Sequence, residues 1–278
     1  MSYQEFRPSS FKLLPDVVKN LLIINFLLFI GDSVLASETG FDITQKFGLY
    51  YVGSEYFKPV QFITHLFLHG GWWHIFSNMF ALWMFGNVLE NVWGSRRFLF
   101  YYLACGLGAA SIHMFASWWE ISSLQQLINQ YALHPNIVDF EALTARYRFY
   151  GETALYLGNF LSEWQMYPDN PVLAQKSVDL AYQILRFKEN IPTVGASGAV
   201  FGVLLAFGMY FPNTPIYLYF AIPIKAKYFV IFYGLFELYS GFQNNPADNV
   251  AHFAHLGGML FGFILIKLWN KKRRQDFY

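Results

Sequence analysis

The sequence predicts an all-α polytopic membrane protein, with six transmembrane helices in a bundle and a helical insert outside the bilayer between the third and fourth. Three observations predict it. The 278 residues are 55% hydrophobic and only 13% charged, about half the charge of a soluble domain, so a globule in water would lack polar cover. Six apolar stretches approach the ~17–25 residues a helix needs to cross a bilayer core. The lysines and arginines gather on one side of the topology those stretches define. Thirty-one Phe, nineteen Tyr and eight Trp exclude a disordered chain. A net charge of +1 supplies no field for nucleic acid. The single cysteine, Cys105, excludes an intramolecular disulfide.

Residues 1–20 form a mostly polar segment ahead of the first span, with no small-residue cleavage site after that span, so it does not read as a signal peptide. The expected spans are 21–36, 74–89, 98–116, 195–211, 227–242 and 250–269. They fall into two blocks, 21–116 and 193–269, followed by a basic tail at 270–278. Several are short, which suits a locally thinned bilayer. With both ends on one side, that side collects Arg7, Lys12 and Lys19, then Arg96 and Arg97, Lys225 and Lys227, and the run Lys271, Lys272, Arg273, Arg274. The other side holds Lys46 and Lys58 and a mildly acidic insert. Positive charge then places both termini in the cytoplasm, and a bacterial inner membrane is the expected setting.

The insert, 117–192, carries apolar residues at three- and four-residue spacing, broken at His134-Pro135 and again between Pro168 and Pro171. This is the patterning of amphipathic helices that lie on the membrane or cap the bundle. The same pattern is compatible with an element that gates substrate or binds a partner.

Polar groups inside a span are costly and are by default functional candidates. His74 and Asn78 lie four residues apart at the start of span two, Ser197 starts span four, and His252 and His255 start span six. In a six-span topology these three starts share the outer side. Gly198 with Gly202, and Gly258 with Gly262, give spans four and six a GxxxG each, which lets helix backbones approach closely in lipid. Ser197 becomes a nucleophile when a base takes its proton, and His255 is the candidate base. An oxyanion formed by its attack would need donors: Asn78 offers an amide, His74 a ring N–H, and Ser197 a backbone N–H at a helix start. No carboxylate has the spacing of a third triad member; Glu237 and Asp248 are the nearest on the outer side. A Ser–His pair is the economical reading, with no cofactor or metal expected.

The segments HLFLHGGWWHIFSN (65–78), GASGAVFG (195–202) and AHFAHLGGMLFG (251–262) resemble the rhomboid intramembrane serine proteases, in the family's order and on its spans. The resemblance implies Ser197 as nucleophile, His255 as general base, and His74 with Asn78 as the oxyanion-stabilising pair. His255 has Gly258 and Gly262 at the family's offsets, whereas His252 has His255 and Met259 there. Phe201 stands where the family often has a Tyr stacked on the catalytic imidazole. His65 and His69 fall at family positions in the first outer loop, where the resemblance implies hydrogen bonding of that loop and admission of water. Gln61 occupies the place of a common Arg, and Glu90 is followed by Asn91 and Val92 rather than by the family's Glu-x-Arg. These departures bear on loop packing. Asn87 and Glu90 read as helix-end polar groups.

The implied activity is hydrolysis of peptide bonds in or next to transmembrane helices of other membrane proteins, which with the lipid bilayer are the expected partners. Substrate helices would unwind first, more easily at Gly, Pro or small polar residues. Two rival classes remain. One is a non-catalytic rhomboid-like protein that binds membrane clients. The other is a metal-dependent hydrolase using His65, His69, His252 and His255, which lacks an HExxH motif.

Overall fold

Apolar surface in this chain faces outward as well as inward. The computed structural model describes residues 11–147, 149–218, 221–243 and 250–275. Helix α1 (Asp16–Thr39) buries Val18, Leu21, Asn25 and Phe29 along one stripe, while Ile23, Ile24, Phe26 and Leu27 lie exposed around it. In water such a helix would be unstable; in lipid the exposed side is the solvated one. It stops at Gly40, whose φ of 70° is the left-handed cap that leaves its N–H free to bond Ala36 O.

The loop that follows holds two short helices, α2 (Ile43–Phe47) and α3 (Gln61–Thr64), and a 3₁₀ turn at His65–Phe67. Next come α4 (Trp72–Ala81), a wider π-helical stretch at Leu82–Gly86 and α5 (Asn87–Trp93), consecutive pieces of one span. Helix α6 (Ser95–Tyr131) has 37 residues, about 55 Å at 1.5 Å per residue, far more than a ~30 Å hydrocarbon layer. It runs past residue 116 and carries Ile121, Leu124, Ile128 and Tyr131 into a second core.

That second core is built with α7 (Ile137–Thr144), α8 (Gly151–Met166) and α9 (Pro171–Glu189). Asn136 caps α7 by accepting from Asp139 N, and Asn170 caps α9 ahead of Pro171 at its first turn. Leu157, Phe160 and Trp164 of α8 meet Phe140 and Leu185 inside it. Tyr131 hydrogen-bonds Ser177, and Lys188 pairs with Glu120.

Helix α10 (Ser197–Tyr210) is buried along nearly its whole length and packs against both α6 and the last helix, α12 (His252–Gln275), which also pack on each other. Its 14 residues span about 21 Å, less than the lipid core. Beyond it β1 (Pro215–Leu218) pairs antiparallel with β2 (Ile222–Lys225), with Ile216 opposite Ile224. Helix α11 (Ala226–Gln243) then packs on α12. Helices α1, α6 and α12 are each long and apolar enough to cross a membrane by themselves.

Glycine sets the close packing of α6, α10 and α12. A Cβ on Gly258 would overlap the carbonyl oxygen of Gly198, and one on Gly202 would sit 2.5 Å from Cys105 Sγ. Tyr101 closes the junction by donating its hydroxyl to Gly202 O at 2.8 Å.

Candidate functional site

The approach to α10 is pinned from three directions. Leu49 and Thr193 exchange backbone bonds of 2.9 and 2.8 Å. Thr193 Oγ1 lies 2.7 Å from His113 Nε2 on α6. Gly195 N donates to His65 O at 2.9 Å. Gly195 has φ 127°, and a Cβ there would fall 2.7 Å from His74 Nε2 and 3.7 Å from Ser197 Oγ. Glycine is therefore required on two counts: its backbone angle, and the imidazole of His74 lying against it beside the start of α10.

The supporting loop depends on Gln61, which is fully buried. Its amide donates to Lys46 O and Tyr56 O (3.3 and 3.0 Å) and accepts from Lys58 N and Tyr50 N (3.0 and 3.4 Å). A neutral amide thus ties the loop together. His65, also buried, places Nδ1 2.7 Å from Gln61 O. Burial pushes its pKa down to about 4, and the bonds to the Gln61 and Phe62 carbonyls oppose this only in part. His69 is 3% exposed, packs edge-on to His74 at 5.1 Å between centroids, and has no hydrogen-bond partner for either nitrogen among the described residues. Burial first, and then the neighbouring His74, push its pKa down to about 3.

Asn78 is buried and donates its side-chain amide to His74 O at 2.9 Å. One of its two amide N–H groups is used there and the other remains. On the opposite wall, Phe201 lies flat on the His255 imidazole, with 4.1 Å between ring centroids and 6° between planes. Phenylalanine keeps the stacking face, as expected of this position, and lacks only the hydroxyl.

His255 Nδ1 sits 2.8 Å from Glu237 Oε2 on α11, and His252 Nδ1 sits 2.6 Å from the same oxygen. All three groups are buried. The local spacing of the sequence did not disclose this contact, because it joins two helices across 18 positions. The available signal was the carboxylate itself, alone in an apolar span. Asp248, the other acidic candidate, lies outside the described residues.

Ser197, His74, Asn78, Phe201, His255, His252 and Glu237 all line one cavity of about 3440 Å³. It continues beneath the insert, where Trp119, Tyr147, Tyr150 and Tyr156 join its wall. Among the described residues no hydrogen bond joins Ser197 to His255; the nucleophile and base candidates share the cavity without closing on each other, as is common before substrate binds. The four histidines of the metal reading do not converge. Among the described residues the group able to hold a metal is Glu237, His252 and His255, without His65 or His69.

Glu90, read from the sequence as a helix-end polar group, serves the end of a second helix as well. It is buried and accepts from Val17 N (2.9 Å), Val18 N (2.8 Å) and Ser95 Oγ (2.6 Å). It therefore satisfies the first free N–H groups of α1 and complements that helix dipole. Asn87 adds a 2.8 Å bond to Leu13 O.

The family model of the rhomboid domain matches residues 56–120 and 172–271. The unmatched stretch between them holds α7 and α8 of the insert. A mitochondrial rhomboid protein of Schizosaccharomyces pombe, itself described as uncharacterized, is 25% identical over 226 residues. The match covers 76% of this chain and 51% of that protein, so the chain spans about half the length of the curated relative. With its apolar helices, its glycine-packed α10 and α12, and the domain match over most of its length, the chain is an integral membrane protein that belongs to the rhomboid family.

Proposed function

We propose that the protein is an intramembrane serine endopeptidase that cuts peptide bonds in or next to transmembrane helices of other membrane proteins. The observation that carries this reading is the shared cavity, in which Ser197 begins a buried helix, His74 lies beside it and His255 is held flat by Phe201. In the first step His255 Nε2 takes the Ser197 hydroxyl proton as Oγ attacks the substrate carbonyl carbon. The oxygen becomes an oxyanion, which receives hydrogen bonds from the His74 ring, the remaining Asn78 N–H and the Ser197 backbone N–H. His255 then returns the proton to the departing amine, the C–N bond breaks, and an acyl ester is left on Ser197. Water, deprotonated by the same imidazole, hydrolyses that ester.

The positions of the basic clusters support a topology with both termini in the cytoplasm and the insert on the opposite side. The test is to place the purified protein and its Ser197→Ala form in lipid vesicles with a panel of single-span membrane proteins. Discrete cut products from the parent alone are expected. Equal cleavage by the Ser197→Ala form would overturn the assignment, and a client-binding protein would keep its effect on clients in that form.

A further inference from the structure

Glu237 stands in the wrong solvent for a carboxylate. It is 3% exposed in an otherwise apolar span, where an unsupported charge costs several kcal/mol or more. Its one oxygen, Oε2, lies 2.6 Å from His252 Nδ1 and 2.8 Å from His255 Nδ1. A protonated Oε2 could donate to only one of those nitrogens. An ionised one accepts from both, and charge-assisted bonds of this kind are the strong ones. Two imidazole N–H donors on one oxygen therefore account for a carboxylate at this position. The same geometry points to His255 carrying its proton on Nδ1, which makes its Nε2 the acceptor.

From this geometry we infer that Glu237 is a positioning residue for the proposed protease, fixing His255 as the Nδ1–H tautomer with Nε2 free to take the Ser197 proton. The inference rests on the proposed function and extends it from a pair to a Ser–His–Glu relay of orientation. Among the described residues no hydrogen bond joins Glu237 to Ser197; it acts through the imidazole. Phe201 restrains the ring plane by stacking, which leaves rotation within that plane open. The Glu237 bond closes that freedom, so the two restraints are complementary. His252 supplies the second donor, and this gives the extra histidine of the AHFAH segment a part: it holds the carboxylate to which His255 is tied.

The experiment compares the full-length parent with Glu237→Gln, a change that keeps shape and removes charge. Cleavage should fall about 100-fold in kcat with KM within about twofold, because substrate contacts are untouched while the base loses its orientation. Unchanged kcat in a variant that melts like the parent would overturn the inference. If Glu237→Gln fails to fold, nitrogen-15 NMR of the parent in lipid decides, with His255 assigned by its loss in His255→Ala. The Nδ1–H form supports the inference and the Nε2–H form overturns it. A parent lacking Ser197-dependent cleavage would sink the proposed function instead, and the tautomer measurement would still judge the contact by itself.

Discussion

His65 shows how much of the site depends on one neutral ring. It is 5% exposed, its Nδ1 faces Gln61 O, and its own carbonyl accepts from Gly195 two residues before the nucleophile candidate. Its pKa in the fold is about 4 against 6.5 for the free group. The unfolded chain thus binds the proton more readily. The fold keeps its full stability above pH 6.5 and loses it progressively as pH falls through 4. The expected loss is about 2 kcal/mol by pH 5. A melting series in detergent from pH 7.5 to 4.5 should show it, and His65→Gln should flatten the acid side of that series. A slope unchanged by His65→Gln would show that the ring is not the group titrating. Residue types and helix starts made Ser197, His74 and Asn78 legible as candidates, since each announces itself as a polar group at a span's outer end. Glu237 was legible only as one of two nearby carboxylates without matching spacing; its contact with His255 was hidden, because helix–helix pairing leaves no mark in local spacing.

At the scale of elements, stability depends on helices that touch through glycine and on one carboxylate that caps another helix. Gly258→Ala would press a methyl group into the Gly198 carbonyl, where backbone rather than a pliant side chain must yield. A loss of about 3 kcal/mol is expected, with the α10–α12 junction opening and cleavage falling together with the melting temperature. Glu90→Ala should cost about 2 kcal/mol, because the buried N–H of Val18 and the half-buried N–H of Val17 lose their acceptor. Its effect on cleavage should appear only through stability, since α1 and α5 lie away from the cavity wall; a kcat loss at full stability would contradict this. Hydropathy made the apolar helices of the bundle legible, but two features were hidden. The π stretch at Leu82–Gly86 has no compositional signal. The extension of α6 beyond residue 116 was masked because its exit from lipid changes only the polarity of one face, not the helical period.

The whole molecule has two cores on one shaft. Helix α6 runs from the glycine-packed bundle into the insert, where Trp164, Phe160 and Phe140 form a separate apolar centre. The cavity joins the two, and under the proposed function a substrate segment reaching Ser197 would pass aromatic residues of the insert. The proposed topology predicts that Leu133→Cys in the insert reacts with a membrane-impermeant maleimide on intact cells, whereas Phe11→Cys reacts only after permeabilisation. Both positions are exposed, and the native Cys105 is buried and silent. The reverse pattern would invert the molecule in its membrane. The proposed chemistry is tested most directly by a fluorophosphonate, which reacts only with a serine whose proton has somewhere to go. In the lipid-embedded parent the probe's mass should appear on the peptide containing Ser197 and vanish in His255→Ala. Failure to label Ser197, or labelling that survives His255→Ala, would contradict a hydroxyl activated by that imidazole.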